Sequence, residues 1–222
     1  MNQPIRSRAE LVTWIESCVL GDLRTLLVGV DAYYASSTHV GQDGLPLGAA
    51  NFLLVAGCCS TIDYLGFILN RGSSDEATAK AFIETFLAPV DSRYGEVGLL
   101  IWRCFRHGTI HCSWPKRIVL ERDTSLVVTG AGTEGADPHL SASPDVAGDS
   151  FLVNGRQLVL DLTRACESSF RDWILTQSSD DVLDRANPQD LLVRAGDIDA
   201  RRQVETVKRW SREYQTRGSG TA

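Results

Sequence analysis

The stretch from Leu45 to Leu69 is the most apolar part of the chain and limits the folds open to it. Its length is close to the roughly 20 residues that cross a lipid bilayer. It also contains Asn51, Asp63 and glycines at 48, 57 and 66, and a carboxylate in an apolar environment needs a partner. We therefore predict a buried central helix in a soluble protein, with Asp63 as a satisfied core carboxylate.

The composition is that of a soluble globular protein. The 222 residues are 43% hydrophobic and 23% charged, with a net charge of -6 and a pI near 5.2. An acidic balance argues against non-specific coating of nucleic acid, which basic proteins achieve by releasing counterions. The N-terminus has no apolar run beside its charges, and the six cysteines include the adjacent Cys58 and Cys59. We predict a cytoplasmic protein with no membrane span and with reduced, largely buried thiols.

Apolar residues recur at spacings of three and four through the first half of the chain, a pattern typical of amphipathic helices. Asp91 can cap the last of these helices. The predicted helices span 8–37, 50–70, the segment from the capping box of Ser73 and Glu76 to Pro89, and about 92–107.

The character of the chain changes after residue 114. Residues 117–122 and 125–129 have the β-branched pattern of short strands. Residues 151–160 predict a hairpin, because Asn154-Gly155 suits the positive φ angles of a type I′ turn. Helical pattern returns over 162–177 and 197–216.

These elements predict a mainly α fold. We expect a single domain over 1–216 followed by a disordered tail at 217–222. Within it, a bundle of four to five helices occupies 8–114, a small antiparallel β-hairpin or sheet insertion occupies 115–161, and C-terminal helices occupy 162–216.

The segment from Arg103 to Cys112 concentrates side chains that can bind and turn over a phosphate. Arg106, His107 and His111 lie in it, and two of the four histidines of the chain are among them. Histidine exchanges protons near neutral pH, and arginine presents a fixed fork of donors to phosphate. On the predicted helix, Arg103, Arg106 and His107 share the side away from the apolar residues.

Residues 106–111, Arg-His-Gly-Thr-Ile-His, resemble the Rx4H motif of the HEPN superfamily of all-helical domains. Many members are metal-independent ribonucleases of toxin-antitoxin, phage-defence and CRISPR systems. The resemblance covers these six residues and the helical context of about 8–114. It implies a HEPN-like endoribonuclease that needs no cofactor or metal, acts on RNA as a homodimer, and is held in check by a cognate antitoxin or regulatory protein.

The resemblance also assigns roles to residues. It implies that Arg106 and His111 are the catalytic pair and that His107 assists them. A histidine would take the proton of a ribose 2′-hydroxyl, which attacks the adjacent phosphate, and a histidine would protonate the departing 5′ oxygen. Arg106, with Arg103 as a phosphate contact, would stabilise the charge on phosphorus.

The spacing sets a condition on this site. At 100° per residue, Arg106 and His111 lie about 140° apart on a straight helix, so one helix does not aim both at one phosphate. A bend near Gly108 or a second subunit must complete the site. The alternative is a catalytically inactive HEPN-like module, a binding or regulatory protein in which Arg106 and His111 make structural hydrogen bonds.

Other patterns in the sequence predict less. His107 and His111 can be two metal ligands with Cys104 or Cys112 as a third, but nothing else completes a tetrahedral site. The GxGxxG run that begins at Gly130 lacks the following helix that a dinucleotide site needs, so we expect a loop over 130–150. The charges of the C-terminal helix are mixed and predict a solvated face.

Overall fold

The computed structural model describes residues 5–36, 38–40, 50–70, 75–112, 117–121, 124–131, 139–145, 148–186, 205, 208 and 209. The chain divides into two compact units, Met1–Asn187 and Pro188–Ala222. In the second unit, Lys208 Nζ donates to Glu205 Oε1 at 2.8 Å. Most of the predicted helix over 197–216 and the predicted tail lie outside the described residues, and the single domain over 1–216 stays a prediction.

The first unit is mainly helical, as predicted, and three of its helical runs contain a five-residue π-helical turn. The α-helices are α1 Arg8–Trp14, α2 Leu20–Ala35, α3 Asn51–Leu69, α4 Asp75–Phe82, α5 Arg93–Cys112, α6 Gly155–Ala165, α7 Arg171–Thr176 and α8 Ser179–Ala186. The π-helical turns are Ile15–Val19 between α1 and α2, Ile83–Leu87 after α4, and Cys166–Phe170 between α6 and α7.

Side-chain caps mark the starts of α1 and α5. The Ser7 hydroxyl accepts a hydrogen bond from the Glu10 amide at 3.1 Å, and the Arg6 amide donates to Glu10 Oε2 at 2.7 Å. The first bond satisfies an amide that the first turn of α1 leaves open, and the second fixes the residue before the cap, a variant of the capping box. Asp91 Oδ1 accepts from the Arg93 amide at 3.0 Å and caps α5 as predicted. Ser73, the other predicted cap, lies outside the described residues.

Helix α3 is the central element of the unit. It packs against α2, α4, α5, α6 and α8. Its segment Phe52–Leu69 is long and apolar enough to cross a membrane, yet 56% of that segment is buried inside the protein. Arg185 of α8 also caps its C-terminus by donating to the Leu69 carbonyl at 2.8 Å. Burial against five helices favours the predicted core helix of a soluble protein.

Helices α3 and α4 approach each other most closely at Gly66. A Cβ at this position would lie 2.7 Å from the carbonyl carbon of Thr78 and 3.2 Å from the Ala79 nitrogen, both in the backbone of α4. Backbone cannot rotate away as a side chain can, so the two helices would have to separate. The glycine is therefore required by packing.

We expect Gly66→Ala to lower the free energy of unfolding by about 1–3 kcal/mol, because it overpacks the α3/α4 contact. Gly29 of α2 is the matched control, since no atom lies within 4 Å of a Cβ built there. Gly29→Ala should raise stability by about 0.5–1 kcal/mol through helix propensity alone. Urea unfolding measures both, and equal effects of the two substitutions would contradict the close approach.

The β region is a four-stranded sheet in the order β1-β2-β4-β3. Its strands are β1 Arg117–Glu121, β2 Thr124–Ala131, β3 Ser141–Asp145 and β4 Gly148–Asn154. The β1/β2 and β3/β4 pairs are antiparallel, and the central β2/β4 pair is parallel. The sheet is therefore mixed, not purely antiparallel as predicted, and β3 occupies part of the predicted loop over 130–150.

The predicted hairpin over 151–160 is wrong, because the chain turns from strand to helix at Asn154. Asn154 Oδ1 accepts a hydrogen bond from the Gln157 amide at 3.1 Å and caps α6, which begins at Gly155. Asparagine suits a helix N-cap as well as a type I′ turn. Leu158 and Leu162 then face the core at helical spacing. The β insertion thus ends at Asn154 instead of 161.

Candidate functional site

Helix α5 carries the Arg106–His111 motif and is longer than predicted. On the part of α5 whose side chains the structure describes, Tyr94, Ile101 and Phe105 are buried, and the helix packs against α3. Its backbone stays α-helical from Arg93 to Cys112, so no break occurs at the position of the predicted bend near Gly108. On an uninterrupted helix, positions 106 and 111 remain about 140° apart.

Arg106 belongs to a cluster of three side chains between α3 and α5, which we call the Asp63 cluster. Arg106 Nε donates to Asp63 Oδ2 at 2.6 Å, and the Trp102 indole nitrogen donates to Asp63 Oδ1. The Arg106 guanidinium carbon lies 5.6 Å from the centroid of the Trp102 ring, within cation-π range. Asp63 therefore has the partners that its place in an apolar helix required.

The cluster corrects the expectation that Arg106 projects away from the core. Its side chain is 25% exposed and that of Asp63 is 21% exposed. An arginine is long enough to lay its methylene groups on a neighbouring aromatic ring while its head reaches a carboxylate on another helix. Arg106 is thus held at the edge of the core, half-buried and oriented by two neighbours.

Arg103, one turn earlier on α5, lies at the surface as predicted. Its Nε donates to Glu76 Oε2 of α4 at 3.1 Å, and this bond raises the pKa of the guanidinium. Its side chain is 51% exposed. Such an exposed pair is weak, so Arg103 can exchange Glu76 for another anion at little cost.

The backbone of His107 and His111 lies on α5, and their side chains are outside the described residues. Their catalytic roles stay predictions, as does the metal site that would join them to a cysteine. Cys104, one of its candidate ligands, is buried in the core. Across the side chains that the structure describes, no group of three histidine, cysteine or acidic residues is placed to hold a metal ion.

The five described cysteines are free thiols and four of them are buried, which confirms the predicted burial; the reduced state of the protein stays a prediction. Burial raises the pKa of Cys58, Cys59 and Cys166 well above the usual range. A thiol must ionise to act as a nucleophile, so these three residues serve packing instead of catalysis.

A second polar cluster lies fully inside the protein and was not predicted from the sequence. Tyr94 Oη lies 2.9 Å from His139 Nε2 and donates to Asp161 Oδ2 at 3.0 Å. Asp161 Oδ1 accepts from Gln157 Nε2 at 2.8 Å. All three of Tyr94, His139 and Asp161 are buried. The one sequence signal was Asp161 itself, a carboxylate within the apolar pattern of α6.

This second cluster has the properties of a structural network. Burial raises the pKa of Tyr94 well above its usual value and lowers the pKa of His139 to about 4. Both side chains are therefore neutral near pH 7. Satisfied hydrogen bonds in a dry interior fix the relative positions of helices and strands. We accordingly place the candidate functional site at the Asp63 cluster and the end of α5.

Comparison of the chain with family models, curated proteins and solved structures finds no match. The resemblance to HEPN domains rests on residues 106–111 and on the helical setting of α5. The geometry that bears on a function is the ordered position of Arg106.

Proposed function

We propose that the protein is a metal-independent endoribonuclease of HEPN type that acts as a homodimer in the cytoplasm. The observation that carries the proposal is the fixed position of Arg106, which Asp63 and Trp102 hold on α5 five residues before His111. Catalysis by charge stabilisation needs a donor whose place is set before the substrate arrives. A toxin or phage-defence effector under the control of an antitoxin is the biological role that this activity fits.

The chemistry needs only protons and charge. A histidine, His111 or His107, removes the proton of a ribose 2′-hydroxyl, and the 2′ oxygen forms a bond to the adjacent phosphorus. The bond from phosphorus to the 5′ oxygen breaks, and a second histidine protonates the departing oxygen. The products are a 2′,3′-cyclic phosphate and a 5′-hydroxyl end. Arg106 stabilises the negative charge that builds on phosphorus, and Arg103 contacts the phosphates of the RNA backbone beside it.

A second copy of the chain completes the site in this proposal. Because α5 is continuous, Arg106 and His111 of one chain diverge around the helix axis. Two copies related by a two-fold axis bring Arg106 of one helix near His111 of the other. The net charge of -6 also means that RNA is bound by local contacts, so cleavage should weaken as salt rises.

The test is cleavage of single-stranded RNA by the purified protein in EDTA. We expect His111→Ala to lower the cleavage rate by at least about a hundredfold, because it removes a proton-transfer group. The control is His39→Asn, which alters an exposed histidine outside the motif. The backbone at His39 has a positive φ angle, which asparagine also tolerates. Absence of cleavage by the wild type, or equal rates for the wild type and His111→Ala, contradicts the proposal. Toxicity on expression is a second readout if a bound inhibitor masks activity.

The second candidate function is a catalytically inactive binding or regulatory module. The internal bonds of Arg106 favour it, since Asp63 and Trp102 give this arginine a structural role without any substrate. The module predicts that Arg106→Gln changes thermal stability while the protein leaves RNA intact. The enzyme predicts that the same variant loses cleavage while it remains folded.

A further inference from the structure

The residues His139 and Leu140, which lead into the edge strand β3, are bonded to α5 and to the end of β4. Arg93 Nη1 of α5 donates to the His139 carbonyl at 2.9 Å, and the Asn154 amide donates to His139 Nδ1 at 3.1 Å. Leu140 is buried with a φ of 49°, a left-handed conformation that is strained for leucine. We call these two residues the His139 strap.

The partners of the imidazole fix where its proton lies. A backbone N–H can only donate, so His139 Nδ1 must present a lone pair to Asn154. In the neutral ring the proton then sits on Nε2 and is donated to Tyr94 Oη. The Tyr94 hydroxyl passes its own proton toward Asp161. The chain of donors runs in one direction from His139 to Asp161.

A second proton on the imidazole has no place in this arrangement. It would sit on Nδ1 and face the Asn154 N–H, so the bond that joins the strap to β4 would be lost. Among the described charged groups, Asp161 and Asp91 attract a charged imidazole, whereas Arg93 repels it. Burial outweighs the attraction and lowers the pKa of His139 from 6.5 to about 4.

We propose that the His139 strap is an acid-operated latch, which holds the start of the edge strand β3 against α5 and the end of β4 until a proton on His139 Nδ1 releases it. Strand β3 is an edge strand that pairs with β4 in the sheet, and among the described residues the strap joins its start to α5. Release frees the start of β3 from α5, so the end of the β3/β4 ladder beside the strap can fray, and the backbone groups of β4 that it leaves unpaired can then pair with another strand. The latch is independent of the proposed RNA cleavage.

The direction of the pH dependence follows from the two states of the strap. The open strap exposes an ordinary histidine with a pKa near 6.5, and the closed strap holds one with a pKa of about 4. At pH values between about 4 and 6.5, His139 of the open strap binds a proton that His139 of the closed strap does not. Closure is therefore most favourable above about pH 6.5 and weakens as the pH falls toward 4.

Hydrogen exchange of the full chain tests the latch. We expect the protection of the amides of residues 139–143, 145 and 154 to fall at least about tenfold between pH 6.5 and pH 4.5, after correction for intrinsic exchange. The amides of α3 serve as the internal reference and should keep their protection. His139→Asn is the matched variant, because its Oδ1 still accepts from Asn154 but does not titrate, so its strap should respond little to pH.

The same pH response in His139→Asn and wild type would overturn the latch, and so would equal losses of protection in α3 and the strap. If His139→Asn does not fold, nitrogen NMR of the wild-type imidazoles decides the question. The latch requires a neutral His139 with its proton on Nε2 and a titration midpoint near 4. A midpoint near the ordinary 6.5, or a proton on Nδ1, excludes it.

Discussion

An equimolar mixture of the Arg106→Gln and His111→Ala variants is expected to cleave RNA at about a quarter of the wild-type rate, although each variant alone is at least about a hundredfold slower. In a site shared across a two-fold axis, a mixed dimer has one damaged site and one intact site. About half of the dimers are mixed after random exchange, and each keeps half of its sites. Arg106→Gln keeps a donor for Asp63 while it removes the positive charge.

In a second form of the experiment the two variants are co-expressed with different tags and the mixed dimers are purified. These should cleave RNA at about half of the wild-type rate, because each keeps one of its two sites. Lys80→Gln replaces Arg106→Gln in the control mixture, because Lys80 forms an exposed pair with Glu84 and has no part in the proposed site. If the mixed dimer is as slow as its parents while the wild type cleaves RNA, Arg106 and His111 of one chain act together. The proposal of a shared site would then be wrong even though the enzyme stands.

Helix positions could be predicted because the spacing of apolar residues reports directly on the face that packs. Helices α2, α3 and α5 lie where that spacing placed them, and α5 extends five residues past its predicted end at 107. The need of Asp63 for a partner was also predictable, since an unpaired carboxylate in an apolar helix is costly. The identity of the partner depended on how α3 and α5 pack.

Other features depended on contacts between residues far apart in sequence. Asn154 has the same local preference for a turn and for a helix cap, and the burial of α6 against α3 decides between them. The parallel pairing of β2 with β4 leaves no local signature, because the two strands are not consecutive. The hydrogen bonds among Tyr94, His139 and Asp161 join three segments that no periodicity connects.

Asp63→Ala is expected to lower the free energy of unfolding by about 2–4 kcal/mol, because it removes the carboxylate that holds the Asp63 cluster together. Its carboxylate accepts hydrogen bonds from Arg106, which lies at the edge of the core, and from Trp102, which is buried in it. Removing it leaves a half-buried guanidinium without this counter-charge. Because Asp63 also orients Arg106, the proposal expects RNA cleavage to fall at least about tenfold under conditions where the variant is fully folded.

Glu76→Ala is the matched control, since it removes the acidic partner of the other arginine on the same face of α5. Its pair with Arg103 is about half exposed, so we expect a loss below about 1 kcal/mol and little change in cleavage. Urea unfolding and RNA cleavage are measured on both variants. Equal losses of stability would show that Asp63 is an ordinary surface carboxylate. Full cleavage by folded Asp63→Ala would show that the cluster stabilises the fold without positioning Arg106 for catalysis.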